Sequence, residues 1–380
     1  MKVMIAVTHL LGTGHLSRAL TLGRAFAAEG DEVTLISGGM PVPQLDSSGL
    51  SLLQLPPLRS DGTDFTRLLE ADGALADDGY RNRRIQMQRD ALRAANPDVL
   101  ITELFPFGRR NLSDEFLVLL ETAQDLPRKP VVLCSIRDIL APPSKPAKAT
   151  RADEIIAAHY AAVLVHSDPR ATTLERSWPV SDMLRDRLRY TGYVAPPAPG
   201  PHPDRAGSGE VLVSAGGGDV GTPLFRAAVE AAALVPDLNW RLLIGGRDAL
   251  RRIADLRPAN CPGNLILEPA RPDFRQMLTH AAVSVSMCGY NTALDLLQAG
   301  PPAVLVPFDA GNEVEQGLRA QSLTDLPGFN VLPSSQLDGP ALARAVQSAR
   351  ATGSRDRPQL RFDGAAQSVA IARQLAEARP

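Results

Sequence analysis

The sequence predicts an α/β protein made of two Rossmann-like domains. Three observations carry that expectation. Short apolar runs alternate with helix-periodic segments almost from end to end, the pattern of a parallel sheet covered by helices. The chain has 380 residues, more than one typical core holds, which favours two domains. The stretch 194–209, VAPPAPGPHPDRAGSG, holds five prolines and three glycines without an apolar period, and the alternation restarts after it. The expected organisation is a first domain over 1–193, a linker over 194–209 and a second domain over 210–360, with a C-terminal helical segment, 361–380, crossing back onto the first domain.

In the first domain, strands are predicted at 2–7, 32–37 (EVTLIS), 50–55, 98–102 (DVLIT), 131–136 (VVLCSI) and 162–166 (AVLVH), short runs rich in β-branched and aliphatic residues. Helices are predicted at 15–29 and 111–125. In the first of them Leu16, Leu20, Gly23 and Ala27 share a face, and Gly30 stands where a left-handed backbone closes a helix. The region 59–95 interrupts the pattern. Rich in Asp and Arg, it is expected to be a solvated insert, with a lid over an acceptor as the alternative. In the second domain, strands are predicted at 210–214, 240–244, 264–268, 282–286 and 302–306, each followed by a helical segment, and the last helix at 362–378.

Composition narrows the function classes. A formal net charge of −2 and only 4% aromatic residues argue against a basic groove or a stacking platform, so nucleic acid is not an expected partner. Cys134, Cys261 and Cys288 are isolated, without a Cys-x-x-Cys pair, which supports neither a disulfide framework nor a zinc site and points to a reducing cytoplasm. The start, MKVMIAV, reads as a first strand and not as a signal peptide. No apolar run reaches membrane-spanning length, so any membrane contact is expected to be peripheral, at the inner face.

Three loops carry the chemistry. Between the first strand and first helix stands THLLGTGHLSR, 8–18, where Gly12 and Gly14 leave room at a helix N-terminus and His15 offers an imidazole. An alternative is that His15 merely caps the helix. The spacing is not the dinucleotide fingerprint, because Ser17 occupies the third glycine position, so a nicotinamide cofactor is not expected. The second loop, SAGGGDVG at 214–221, puts Gly216, Gly217 and Gly218 before another helix, where backbone N–H groups can approach a diphosphate. In the third, SVSMCGYNTALDLLQAG, Gly289, Asn291 and Thr292 turn the chain and Asp295 is expected in the first turn of a helix, able to reach a ribose diol. Glu315 and Gln316 open a further helix at the same sheet edge.

The third loop and its sequel resemble the C-terminal signature of the MurG-type glycosyltransferases, of the family 28 C-terminal-domain type. The matching residues are Cys288-Gly289-x-x-Thr292-x-x-Asp295, then Gly300-Pro301-Pro302, Pro307-Phe308 and Gln316-x-x-Arg319-Ala320. Three positions depart from the family pattern: Asp295 is one methylene shorter than the usual Glu, Cys288 stands for a small Gly or Ser, and Arg319 for Asn. The opening Gly12-x-Gly14-His15-x-x-Arg18 is similar to the N-terminal loop of a related nucleotide-sugar hydrolase. The segments TELFPFGRR, SIRDIL and VHSDP resemble a bacterial branch of the same superfamily, which makes Glu103, Arg109, Arg137 and Asp138 acceptor-side candidates, with ordinary loop ion pairing as the alternative.

The resemblance implies the GT-B architecture, two Rossmann-like domains facing across a cleft. It implies an inverting, metal-independent transfer from a nucleoside diphosphate sugar, with UDP the expected carrier. The acceptor is left open, small molecule or lipid-linked. Under it Asp295 holds the donor ribose, Gln316 contacts the sugar and the C-terminal glycine loop approaches the diphosphate, with no cofactor or metal ion. In that setting His15 is the expected catalytic residue, as a base or as a hydrogen-bond partner of donor or acceptor. A nucleotide-sugar hydrolase and a non-catalytic nucleotide-sugar-binding protein are the alternatives.

Overall fold

The computed structural model describes residues 1–10, 12–60, 67–216, 220–246, 248–310, 313–353 and 359–379. The chain divides into two compact units, one of Met1–Pro169, Thr173–Val194 and Arg361–Pro380, the other of Arg170–Thr172 and Ala195–Leu360.

The first unit runs β1 (Lys2–Val7), α1 (Gly14–Ala28), β2 (Glu32–Gly39), β3 (Ser51–Leu58), α2 (Asp78–Ala95), β4 (Val99–Glu103), α3 (Ser113–Gln124), β5 (Val131–Arg137), α4 (Pro146–His159), β6 (Ala162–His166), α5 (Asp182–Arg187) and β7 (Leu188–Tyr190). Its seven strands are parallel, in the order β3-β2-β1-β4-β5-β6-β7. Burial on both faces explains why the strands are almost continuously apolar. Along β1, Val3, Ile5 and Val7 point to the face covered by Leu16, Leu20 and Phe26 of α1, while Met4 and Ala6 point to the opposite face with Phe116, Leu119 and Leu120 of α3. After its long second-unit excursion the chain returns through the last helix, α12 (Gly364–Glu377), whose Val369 and Ala372 join the α1 side of this core.

The second unit repeats the plan with β8 (Glu210–Ser214), α6 (Thr222–Leu234), β9 (Asn239–Ile244), α7 (Ala249–Leu256), β10 (Leu265–Pro269), α8 (Phe274–Met277), β11 (Val283–Ser286), α9 (Tyr290–Ala299), β12 (Ala303–Leu305), α10 (Glu315–Leu323), β13 (Phe329–Val331) and α11 (Gly339–Thr352). Its six strands are also parallel, in the order β10-β9-β8-β11-β12-β13. In both sheets the order reverses beside the first strand, which creates a crevice at the carboxyl edge between β1 and β4 and another between β8 and β11.

Three expectations change. The region 59–95 is not only a solvated insert: its second half is the 18-residue helix α2, which buries Tyr80, Arg84, Gln88 and Leu92 at four-residue spacing. Only one of those four is aliphatic, so the buried stripe looked like surface. The short strands β7 (LRY) and β13 (FNV) carry too few apolar residues to be read from the pattern. The proline-rich stretch lies docked along the second unit. Arg275 Nη2 donates to Pro197 O at 3.0 Å, Gln298 Nε2 to Pro196 O at 3.0 Å, and His202 Nε2 to Asp273 Oδ2 at 2.9 Å.

Arg84 is completely buried and makes a two-pronged pair with Glu115 of α3, Nε to Oε2 at 2.8 Å and Nη2 to Oε1 at 2.9 Å. Its Nη1 donates to the carbonyls of Gly38 and Pro56, so one guanidinium ties α2 to α3 and to the ends of β2 and β3. Glu115→Leu strands that cation without its anion and is expected to lower unfolding stability by about 3–5 kcal/mol. Adding Arg84→Met should recover only part of the loss, because the Gly38 and Pro56 carbonyls then lack a donor. Urea unfolding of the single and double variants checks both values.

Candidate active site

At the crevice of the first sheet, the β1–α1 loop faces the end of β4. Thr13 is the N-cap of α1, and His15 is the second residue of the helix, not its cap. A Cβ placed on Gly12 or Gly14 would meet nothing within 4 Å, so the loop borders open space as the glycine pattern predicted. Gly12 also has φ +65°, the left-handed region that favours glycine.

His15 does not stand alone. Its Nδ1 lies 2.9 Å from Oε1 of Glu103, the last residue of β4. Arg18, one helical turn on, donates from Nη2 to the same oxygen. Ser135 of β5 donates from Oγ to Oε2 at 2.6 Å. Burial works to raise the Glu103 carboxyl, but the Arg18 guanidinium and the His15 hydrogen bond outweigh it and hold the group well below the usual carboxylate range. An ionised carboxylate only accepts, so the 2.9 Å contact puts the His15 proton on Nδ1; Arg18 Nη2, which lies 3.2 Å from that nitrogen, directs its hydrogen to Glu103 Oε1, the nearer partner. That leaves Nε2 unprotonated and without a hydrogen bond among the described residues. Burial, with Arg109 and Arg18 adding to it and Glu103 opposing, lowers the His15 pKa to about 3, so the imidazole is neutral at physiological pH.

The first-unit candidates therefore separate. Glu103 is 2% exposed and sits behind His15. Asp138 is also buried, its Oδ1 accepting from the Ile139 N–H at 2.8 Å. Arg109 and Arg137 are half-buried, and Arg109 Nε donates to the Thr8 carbonyl at 2.6 Å at the end of β1. Two site residues were not foreseen. His166 of β6 places Nε2 2.9 Å from Ser135 Oγ, and Thr191, just after β7, places Oγ1 2.9 Å from His166 Nδ1. The available signal was a polar residue near the carboxyl end of each apolar run, in VVLCSI and AVLVH.

The second crevice is built differently. Gly216 follows β8 and Gly289 is the N-cap of α9, and a Cβ on either would meet nothing within 4 Å. Gly217 and Gly218 lie outside the described residues. Asn291 and Thr292 stand in the first turn of α9, where backbone N–H groups have no acceptor within the helix. Asp295 is not in that first turn, as expected, but is the sixth residue of the helix. Its Oδ1 accepts from Arg275 Nε at 2.7 Å, and burial raises its pKa against the pull of that guanidinium. Glu315 opens α10. Gln316 uses Oε1 to accept from the N–H groups of Cys288 at 3.1 Å and Phe308 at 3.2 Å, joining the ends of β11 and β12 while its Nε2 stays available. Arg319 is buried and donates to the Cys288 carbonyl at 3.1 Å, so its guanidinium braces the loop.

Residues 264–373 match the model of the glycosyltransferase family 28 C-terminal domain, which spans β10 to α12 and contains this second crevice's α9 and α10. The chain has the GT-B fold, and its second unit is similar to the family 28 C-terminal domain. Two relatives carry the name UDP-N-acetylglucosamine--N-acetylmuramyl-(pentapeptide) pyrophosphoryl-undecaprenol N-acetylglucosamine transferase. The one from Phenylobacterium zucineum is 27% identical over 96% of this chain and 94% of its own length. The one from Brucella anthropi is 31% identical, but over 35% of this chain and only 36% of its own length. Among solved structures, a calicheamicin glycosyltransferase superposes with a TM-score of 0.63 at 18% identity, over 99% of this chain and 96% of that one.

The buried neutral histidines have a consequence for stability. His15 and His166 both have pKa values lowered to about 3, chiefly by burial, whereas an unfolded histidine titrates near about 6.5. Between those values the unfolded chain binds more protons. Stability is therefore full above pH about 6.5 and falls with acid, by about 1.4 kcal/mol per pH unit for each histidine. The depressed Glu103 carboxyl adds to this loss below the unfolded carboxylate range, about 4.3. Urea midpoints measured from pH 7 to pH 4 should show this slope, and His166→Asn should remove about half of the histidine part.

Proposed function

We propose that the chain transfers a sugar, with inversion at the anomeric carbon, from a nucleoside diphosphate sugar to an acceptor hydroxyl, with His15 as the base. The observation that carries this reading is the pairing of His15 Nδ1 with the buried Glu103 carboxylate, which leaves a neutral Nε2 beside the open Gly12–Gly14 loop. In the step proposed, Nε2 takes the acceptor O–H proton as that oxygen attacks the anomeric carbon. The bond from that carbon to the diphosphate oxygen breaks, and the electron pair leaves on the nucleoside diphosphate. Glu103 steadies the imidazolium that forms.

The second unit is assigned the donor. The N–H groups at the start of α9 and around Gly216 and Gly289 suit a diphosphate, whose growing charge a helix N-terminus stabilises. Asp295 retains Oδ2 for a ribose hydroxyl, and Gln316 Nε2 is placed for the sugar, with Glu315, Asn291 and Thr292 alongside. A UDP-linked sugar is the first donor to test, because the relatives' names specify one. Those names also specify a lipid-linked acceptor. For this chain the acceptor is proposed as either a small molecule or a lipid-linked sugar met by peripheral contact from the cytoplasm, and no helix among the described residues is long and apolar enough to cross a membrane. Arg109 and Arg137 are the residues proposed to meet it.

A panel of nucleoside diphosphate sugars scored by thermal shift finds the donor, since a ligand at 100 times its Kd adds about 2.7 kcal/mol of stability. With that donor, His15→Ala should lower turnover by about 10² to 10⁴ while donor affinity stays at the parent value. Asp295→Ala should do the reverse, weakening nucleotide binding by about 1.5–3 kcal/mol. EDTA should leave turnover unchanged. Donor cleavage at full rate without an acceptor would transfer the assignment to a hydrolase, in keeping with the Gly12-x-Gly14-His15-x-x-Arg18 pattern, and binding without turnover would make the protein a sensor.

A further inference from the structure

The carboxyl edge of the first sheet carries a line of buried polar side chains of which the proposed chemistry uses only the first, Glu103. Glu103, Ser135, His166 and Thr191 come from the ends of β4, β5 and β6 and from just after β7, four neighbouring strands. The contacts between successive members measure 2.6, 2.9 and 2.9 Å, and all four residues are 2% exposed or less.

The direction of each bond follows from counting protons. Ser135 Oγ has one hydrogen, and at 2.6 Å from an ionised carboxylate oxygen that hydrogen belongs to Glu103. The Ser135 oxygen must then accept from His166, so His166 carries its proton on Nε2. Thr191 Oγ1 lies 2.9 Å from His166 Nδ1, but its one hydrogen is shared with the carbonyls of Gly192 at 2.7 Å and Val165 at 3.3 Å, so the count fixes the chain from His166 to Glu103. The charged groups acting on His166 are Arg18 and Glu103, of opposite sign, and burial keeps the ring neutral. On the far side of Glu103, Arg18 and His15 donate to Oε1, with Arg109 the other cation acting on His15.

We propose that Ser135 and His166 are positioning residues, forming a one-way hydrogen-bond chain from His166 through Ser135 to Glu103 that locks the carboxylate and so fixes the tautomer and aim of His15. Every donor in the chain already points at Glu103. When His15 gains a proton, no proton needs to move along the chain, and the negative charge stays against the imidazolium. A Glu103 held only through Oε1 could turn about its last bond and let the His15 ring follow. The inference rests on His15 being the base, yet its first readout needs no substrate.

Long-range ¹H–¹⁵N spectra of the histidine rings in the full-length protein at pH 7 test it. The parent should show His166 protonated on Nε2 alone and His15 on Nδ1 alone. His166 protonated on Nδ1, or on both nitrogens, would overturn the chain without any variant being made. In Ser135→Ala the His15 signals should move to a mixture of tautomers, and in Ser135→Thr, which keeps the hydroxyl, they should return to the parent pattern. Should Ser135→Ala not fold, Ser135→Cys, of similar volume with a weaker donor, should give an intermediate pattern. His15 signals unchanged in the alanine or cysteine variant would defeat the positioning role. With the UDP-sugar that gives the thermal shift, Ser135→Ala should cut turnover about tenfold at unchanged donor Kd, as loss of a supporting hydrogen bond typically does. The expected ring pattern in a parent that transfers no sugar would sink the transferase reading alone. Sugar transfer by a parent with His166 protonated on Nδ1 would sink the chain alone.

Discussion

A carboxylate buried at the mouth of the first sheet, Glu103, is the constraint on which the rest of that site depends. An isolated carboxylate in such a place would take up a proton, since burial disfavours charge. Here Arg18, His15 and Ser135 supply a cation and directed donors to both of its oxygens. The arrangement works in both directions. Glu103 needs those donors to stay ionised, and His15 needs an ionised Glu103 to carry its proton on Nδ1 and present Nε2.

Parallel-sheet topology is what makes such a concentration of polar groups tolerable. The body of each central strand is buried on both faces and apolar, so its polar side chains gather at the carboxyl edge. At that edge neighbouring strands hold their ends side by side, as the register of Glu103 with Ser135 and of Arg137 with His166 shows. Hydrogen bonding can therefore proceed from strand to strand without crossing the core. The second unit uses the same edge with backbone groups instead. Its loops border open space, and the half-buried Gln316 and the buried Arg319 brace the loops.

Asp295 joins the second crevice to the rest of its unit. The Arg275 guanidinium that holds its Oδ1 also donates to Pro197 and to Gln298 Oε1, and Gln298 donates to Pro196. The shorter acid of this chain thus comes with a cation that anchors it and with a docked proline segment. The proline run has no apolar period because its role is met by its carbonyls. Prolines keep their acceptors while presenting no N–H that would need a partner.

The sequence by itself determined the fold class, the two crevices and the loops that line them. Those features are local: apolar runs of strand length, glycines at helix mouths, and a third loop whose spacing matches family 28. It also singled out His15, Glu103, Asp295 and Gln316, but only as separate residues. Their relations needed the tertiary structure, because His15 and Glu103 are 88 positions apart and Arg275 and Asp295 are 20 apart. The helix α2 and its Arg84 escaped for a related reason. A buried stripe of Tyr, Arg, Gln and Leu is stable only because Glu115, 31 positions away, neutralises the arginine, and no local pattern records a partner at that distance. Strand order decided which polar ends became neighbours, and burial then decided which of them are charged.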